Sequence, residues 1–341
     1  MGDGPDQQGT ETAITPGGRA GAGGVPLAAE LATAARRLAE AGVASPAADA
    51  QLLAAHVLGV PRGRLPLVRE LTPDAAERLR ALVARRAGRV PLQHLTGEAY
   101  FRHLTLAVGP GVFVPRPETE LVAGWVIDEL RARSGASSAA GPAGGRGPRP
   151  VCVDLCAGSG TIALALADEL PGAEVHAVEA DPAALRWLRR NVAATGLPVE
   201  VHAADVAAGS GVPVPDGPPP AGWARVPVLT ALGPLVGRVD AVVANPPYLP
   251  DADRAVVAPE VGDHDPPWAL WGGGRDGLAV PRAVAAVAAD LLRPGGLFAM
   301  EHADGQGRAS RDLLASAGGW HEIATRRDLS ERDRYVTARR G

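Results

Sequence analysis

Val153-Asp154-Leu155-Cys156-Ala157-Gly158-Ser159-Gly160-Thr161 closes an apolar run that starts at Val151 and leads straight into a helical stretch, residues 161–170. A strand that passes through a glycine turn into a helix opens an α/β unit, and the glycines let a ligand approach the backbone there. Outward from this point strands alternate with helices: 174–178, helix 182–194, 199–202, Val239–Ala244, helix 279–292 and 297–301. Such alternation predicts right-handed crossovers and a mostly parallel sheet covered on both faces. Residues 320–324 and 334–338, joined by a charged turn, read as a closing hairpin.

The glycine turn implies a nucleotide-like cofactor. Gly158-x-Gly160-x-x-Ala163, with Glu179 ending the next strand about 20 residues on, also fits the dinucleotide fingerprint, so an NAD-dependent oxidoreductase stays open at this point. Asp154 ahead of the glycines is placed to hold a cationic amino-acid moiety, which a pyrophosphate would not need, and a third glycine is absent. Asp181, before Pro182, reads as a helix N-cap. Asp205, just past the third strand, is positioned to accept from an adenine amino group.

The 341 residues are 46% hydrophobic with a formal net charge of −4, and lysine is absent. That balance argues against a protein that coats nucleic acid. No apolar run is long enough to cross a bilayer and residues 1–24 lack a signal-peptide core, so a cytoplasmic location is expected. Cys152 and Cys156 lie about 13 Å apart along an extended chain, beyond the roughly 7 Å a disulfide tolerates. They read as free thiols, and no metal site is expected.

Residues 1–25 read as a disordered tail. Residues 26–98 form three helical patterns, two of them opened by Ser45-Pro46 and Thr72-Pro73. Residues 99–115 read as a hairpin connector, with arms at 104–108 and 112–114 around Gly109-Pro110-Gly111. The third region is 116–341, with a loose loop at 134–150 and a Pro- and Gly-rich surface insertion at 209–234.

Asn245-Pro246-Pro247-Tyr248 follows the apolar run Val239–Ala244, which puts a polar tetrapeptide at the carboxyl end of a buried strand. Two prolines stiffen the loop and leave its carbonyls needing partners. Asn245 adds an acceptor and two donors, and Tyr248 adds a flat π face with a hydroxyl tip. The set suits a planar group that carries an NH2. Asp263-His264-Asp265 reads as a solvated loop, while Trp268, Trp271, Glu301, His302 and Arg116 are open between site and scaffold roles.

Pro91-Leu92-Gln93-His94-Leu95-Thr96-Gly97-Glu98, Pro115-Arg116-Pro117-Glu118-Thr119-Glu120, the Asp154 to Gly160 loop and Asn245 to Tyr248 occur in one chain in that order. In this the chain resembles the HemK-type release-factor glutamine methyltransferases from about residue 27 to its end. The resemblance implies a Rossmann-like class I S-adenosylmethionine-dependent methyltransferase domain behind a helical substrate-binding domain. It also implies methylation of the glutamine side-chain nitrogen in the Gly-Gly-Gln loop of peptide chain release factors. Carried onto these positions, Cys156, Ala157, Gly158, Ser159 and Gly160 with Asp154, Glu179, Asp205 and Val206 hold the cofactor. Asn245, Pro246, Pro247 and Tyr248 hold the substrate amide, with Asn245 also near the cofactor. Cys156-Ala157 stands where the family usually has Gly-Thr, and Val206 where an aromatic residue often flanks the adenine. The alternative is an adenine N6-methyltransferase on DNA or RNA, because an exocyclic amino group poses the same problem once flipped from the stack. The acidic balance and the Pro-Arg-Pro block favour the protein substrate, and a monomer is expected.

Overall fold

The computed structural model describes residues 23–138, 149–209 and 219–341. The tail at 1–22, and residues within the expected loop and insertion, lie outside them. The chain divides into two compact units between Gly88 and Arg89.

In the smaller unit, helices α1 (Leu27–Glu40), α2 (Pro46–Leu58) and α3 (Pro73–Ala87) bury Leu38, Leu53 and Leu79 against one another. Thr72 caps α3 by accepting from Ala75 N at 3.2 Å, whereas Ser45 makes no such bond at α2. A buried Arg86–Asp49 pair at 2.7 Å ties α3 to α2.

In the larger unit a short helix at Leu92–Thr96 leads into a hairpin, β1 (Glu98–Phe101) and β2 (Leu104–Ala107). Its turn is not at Gly109-Pro110-Gly111 but at Arg102-His103, where Arg102 takes φ 52. The guanidinium of Arg102 binds the Glu169 carboxylate and the Glu120 carbonyl, and these bonds offset the cost of a left-handed arginine. The glycines serve a close approach instead. A Cβ on Gly109 would come within 2.6 Å of the Trp187 ring, whose Nε1 donates to Pro110 O at 3.3 Å.

Helix α4 (Thr119–Ser138) follows, longer at both ends than its apolar pattern suggests. Then come β3 (Val151–Leu155), α5 (Thr161–Glu169), β4 (Glu174–Glu179), α6 (Pro182–Thr195), β5 (Val199–Ala203) and β6 (Val239–Ala244). Helix α7 (Ala279–Leu291), β7 (Leu292–Glu301), α8 (Gly307–Ala317), β8 (Trp320–Arg327) and β9 (Asp333–Arg340) complete the unit. Seven strands form one sheet in the order β8-β9-β7-β6-β3-β4-β5, with β3 to β7 parallel and β9 antiparallel to both its neighbours. Apolar clusters cover both faces, one built on α4 and α5, the other on α7 and α8.

The segment expected as a surface insertion is in part core. Asp205 bridges to Pro227, a short helix spans Val228–Ala231, and Val228, Leu232 and Leu235 are buried beneath the sheet. Prolines mask the pattern, but Pro227 only starts the helix, where a missing N–H costs nothing.

Candidate active site

Strand order reverses in the sheet between the parallel neighbours β3 and β6, the place where open α/β sheets bind ligands at their carboxyl edge. Register makes this exact at the residue level. Leu155 pairs with Ala244, Leu155 also with Val178, and Glu179 with Ala203, so the glycine turn, Glu179, Asp205 and Asn245 all leave the sheet on one edge. One cavity there is lined by Cys156 to Ser159, Glu179 to Asp181, Asp205, Val206, Asn245, Pro247 and Tyr248. Asp154, Gly160 and Pro246, adjacent in the chain to lining residues, are not among them.

Gly158 has φ 58 and no atom within 4 Å of where a Cβ would stand, so a ligand can pass directly over the turn. Cys156 also takes a positive φ, 63, a conformation that costs a side chain about 1–2 kcal/mol. Glu179 accepts from Gly158 N, Ala180 N and Asp181 N, each at 2.8 Å, and so ties the two loops together. Burial pushes its carboxyl up to about 7. Asp154 is fully buried and accepts from Ala163 N at 2.9 Å through one oxygen; the other has no partner in the structure. Burial holds this carboxyl at about 8, so at neutral pH it is mostly protonated and a cationic neighbour would ionise it. An orphaned buried oxygen behind an open glycine turn fits a cofactor with an ammonium group.

Asp205 accepts from Ala207 N at 2.8 Å and from Trp223 Nε1 at 3.1 Å. Trp223 in turn meets Trp268, ring centroids 5.5 Å apart, and both rings line the cavity beside Val206. Asp181 is the N-cap expected, accepting from Ala183 N at 2.8 Å.

At the other end of the cavity a directed chain of hydrogen bonds sets the tetrapeptide. Asn245 Nδ2 donates to Thr119 Oγ1 at 3.1 Å, and Thr119 donates to Glu301 Oε2 at 2.7 Å. Tyr248 OH donates to Glu301 Oε1 at 3.1 Å. Asn245 lines the cavity, and with one of its two amide N–H groups donated to Thr119 it keeps Oδ1 as an acceptor. Behind the loop, Gln306 Nε2 donates to Tyr248 O at 2.7 Å and Asp276 O at 2.8 Å. Gly272 and Gly277 approach so closely that a Cβ on either would overlap backbone, Gly277 against the Tyr248 carbonyl.

Residues 30–97 match the family model described as PrmC N-terminal domain, and residues 148–212 the one described as Methyltransferase small domain. The release factor glutamine methyltransferase of Streptomyces coelicolor is 47% identical over 92% of this chain and 98% of its own length. The chain belongs to the release factor glutamine methyltransferase family. Members from Mycobacterium tuberculosis (strain CDC 1551) and Deinococcus radiodurans are 44% and 38% identical over 90% and 91% of this chain, and 89% and 97% of their own.

Two departures from the family pattern now have a physical reading. A glycine would adopt the φ of Cys156 without strain, so the cysteine is tolerated at a cost rather than favoured. Val206 is not aromatic, but Trp223, which arrives from the Pro-rich segment where no spacing rule reveals it, lines the same cavity and is held by Asp205. Trp223→Ala is expected to raise the Kd for S-adenosylmethionine about 10-fold, the scale of one base–aromatic stack. Titration calorimetry beside Trp223→Phe checks this, and an alanine variant that binds as tightly as the parent counts against stacking.

Several residues left open by the sequence make structural contacts. Arg116 pairs with Asp265 at 2.6 Å, and Asp265 also accepts from Val114 N at 3.3 Å. Asp265 is therefore not the solvated residue expected; it is 3% exposed, and burial raises it to about 6. Trp271 is buried under Arg254, 4.3 Å from the guanidinium, and His302 is buried with Nδ1 bonded to Ala303 O at 2.7 Å. Asn191 was missed by sequence reasoning. It brackets Ala107 N and O at 2.8 and 3.0 Å and holds Ser159 O at 2.9 Å, fixing the glycine turn to the hairpin.

Proposed function

We propose that this enzyme transfers a methyl group from S-adenosylmethionine to the side-chain amide nitrogen of the glutamine in the Gly-Gly-Gln loop of peptide chain release factors. The observation that carries the reading is the anchoring of Asn245, a cavity-lining residue whose nitrogen donates to Thr119 and whose Oδ1 would then serve as the acceptor for the substrate. S-adenosylmethionine supplies an electrophilic methyl on a cationic sulfur. The backbone of residues 156–160, Glu179, Asp205, Val206 and Trp223 would hold it, with Asp154 answering its ammonium group from below the turn.

A carboxamide nitrogen is a weak nucleophile, since its lone pair is delocalised into the carbonyl. The protein's task is to position it. Asn245 Oδ1 and the Pro246 carbonyl each accept one N–H, which fixes the nitrogen's direction and stabilises the positive charge that grows on it. The Tyr248 ring, pinned through its hydroxyl, covers the amide plane, and Pro247 closes the wall. No strong base is required, because an N-methylated, protonated amide is itself a strong acid and passes its proton to water. The helical unit before Gly88 serves to grip the release factor. The enzyme works as a cytoplasmic monomer without stable nucleic-acid binding; no helix among the described residues is long and apolar enough to cross a membrane.

The test is methyl transfer from labelled S-adenosylmethionine to a purified release factor, beside one whose Gly-Gly-Gln glutamine is replaced. Label on the first alone is expected. Label on both, or on neither while the cofactor binds, would overturn the assignment.

The node at Glu301 predicts a pH dependence. Burial holds its carboxyl at about 7, and only the ionised form accepts from Thr119 and Tyr248 together. Methyl transfer is expected to fall as the pH drops below about 7. In Glu301→Gln that limb should disappear at a reduced rate; a limb that persists in the variant belongs to another group. For stability the sign is opposite. A carboxyl raised from 4.5 to about 7 contributes stability that is full below 4.5 and lost as the pH rises through 7.

A further inference from the structure

We propose that His176, His202 and Glu200 form a binding site for a zinc-class divalent cation on the edge of the sheet, apart from the methyl-transfer cavity. The site follows from register. His176 on β4 pairs with Glu200 on the edge strand β5, and His202 lies two residues further on, so all three side chains emerge on one face. His176 Nδ1 lies 3.0 Å from His202 Nε2 and 3.5 Å from Glu200 Oε2, and His202 Nε2 lies 3.6 Å from Glu200 Oε1. A tetrahedral ion with bonds of about 2.0–2.1 Å separates its ligand atoms by roughly 3.3 Å. The two nitrogens are near that spacing, each has a different Glu200 oxygen within reach, and one donor atom from each residue lies within 4.8 Å of the others, so a turn of the exposed carboxylate would complete one face of the polyhedron.

A fourth residue supports the assignment. His176 Nε2 faces Glu174 Oε1 at 3.0 Å, the carboxylate–histidine pairing that fixes the tautomer of a metal-bound imidazole. With its proton directed to Glu174, His176 turns the lone pair of Nδ1 toward His202 and Glu200. Without a cation, His202 Nε2–H fills the gap by donating to that lone pair. The cation replaces this one hydrogen, and His202 then carries its proton on Nδ1. Two nitrogens and one carboxylate favour zinc over magnesium or calcium, which prefer oxygen cages. His176 is 4% exposed, while the Glu200 side chain is 66% exposed, so the ion has a rigid floor and an open approach. None of the three lines the methyl-transfer cavity. Bound there, the ion would cross-link the edge strand to its neighbour.

The test titrates Co2+ into the chelator-treated full chain. One equivalent is expected to bind saturably with the visible d–d absorption of a four-coordinate site, and Zn2+ to displace it. Glu200→Gln, a change at an exposed side chain, should weaken binding at least about 10-fold, and His202→Ala should abolish the spectrum. Both variants should keep the metal-free thermal melt and the methyl-transfer activity of the parent. No saturable spectrum overturns the proposal and leaves a purely hydrogen-bonded histidine pair. A spectrum that survives in His202→Ala, or one carrying a thiolate charge-transfer band from Cys152 or Cys156, overturns it as well.

Discussion

Asn245→Ala is expected to lower kcat for methyl transfer about 10²–10³-fold, the scale for removing one preorganised polar group from a reacting centre, with the cofactor Kd nearly unchanged. The alanine removes the acceptor and also releases Thr119, which then holds only Glu301. Asn245→Asp separates these effects. It keeps an acceptor but loses the donor to Thr119 and brings a second carboxylate near Glu301, so it should also be slow and grow slower as the pH rises. Single-turnover rates with saturating cofactor give the comparison, and an alanine variant with parental kcat would remove Asn245 from the mechanism.

Gly277→Ala is expected to harm both stability and rate although the residue never meets a ligand. A Cβ there would overlap the Tyr248 carbonyl oxygen and stand 2.7 Å from Pro250 N, on backbone that has φ 71. Overpacking of this kind costs about 1–3 kcal/mol. Because the atom it strikes belongs to the tetrapeptide, the loop must shift, and a displacement of about 1 Å at reacting groups can cost 10²-fold. Urea unfolding should show a lower midpoint at unchanged slope. A variant with normal stability and normal kcat would show that the loop is not held from behind.

The parallel sheet, the two site loops and the terminal hairpin were legible because each depends on local pattern: apolar runs, glycines at a turn, prolines after an asparagine. The hairpin turn was misplaced because Gly109-Pro110-Gly111 carries the usual turn residues, while the real turn at Arg102 is held by a carboxylate 67 positions away in sequence. The buried residues Val228 and Leu232 of the 209–234 segment were hidden for a related reason, since Pro227 there starts a helix rather than breaking one. Glu301 stood out at the end of its strand and Thr119 within the Pro115 to Glu120 block, but neither their role as supports nor Gln306 was legible, because only the fold brings them to the tetrapeptide. Gly272 and Gly277 left a weak trace, because glycines that crowd a backbone look the same as glycines in any loop.

The ladder between β3 and β6 carries one more consequence. Leu155 and Ala244 are hydrogen-bonded neighbours, so the loop that would seat the methyl donor and the loop that would seat its acceptor start one interstrand step apart, about 4.8 Å. That spacing is a property of peptide geometry and is nearly immune to substitution. The distance between the two loops is in this sense inherited from the backbone, and a substitution on a distant surface leaves it untouched.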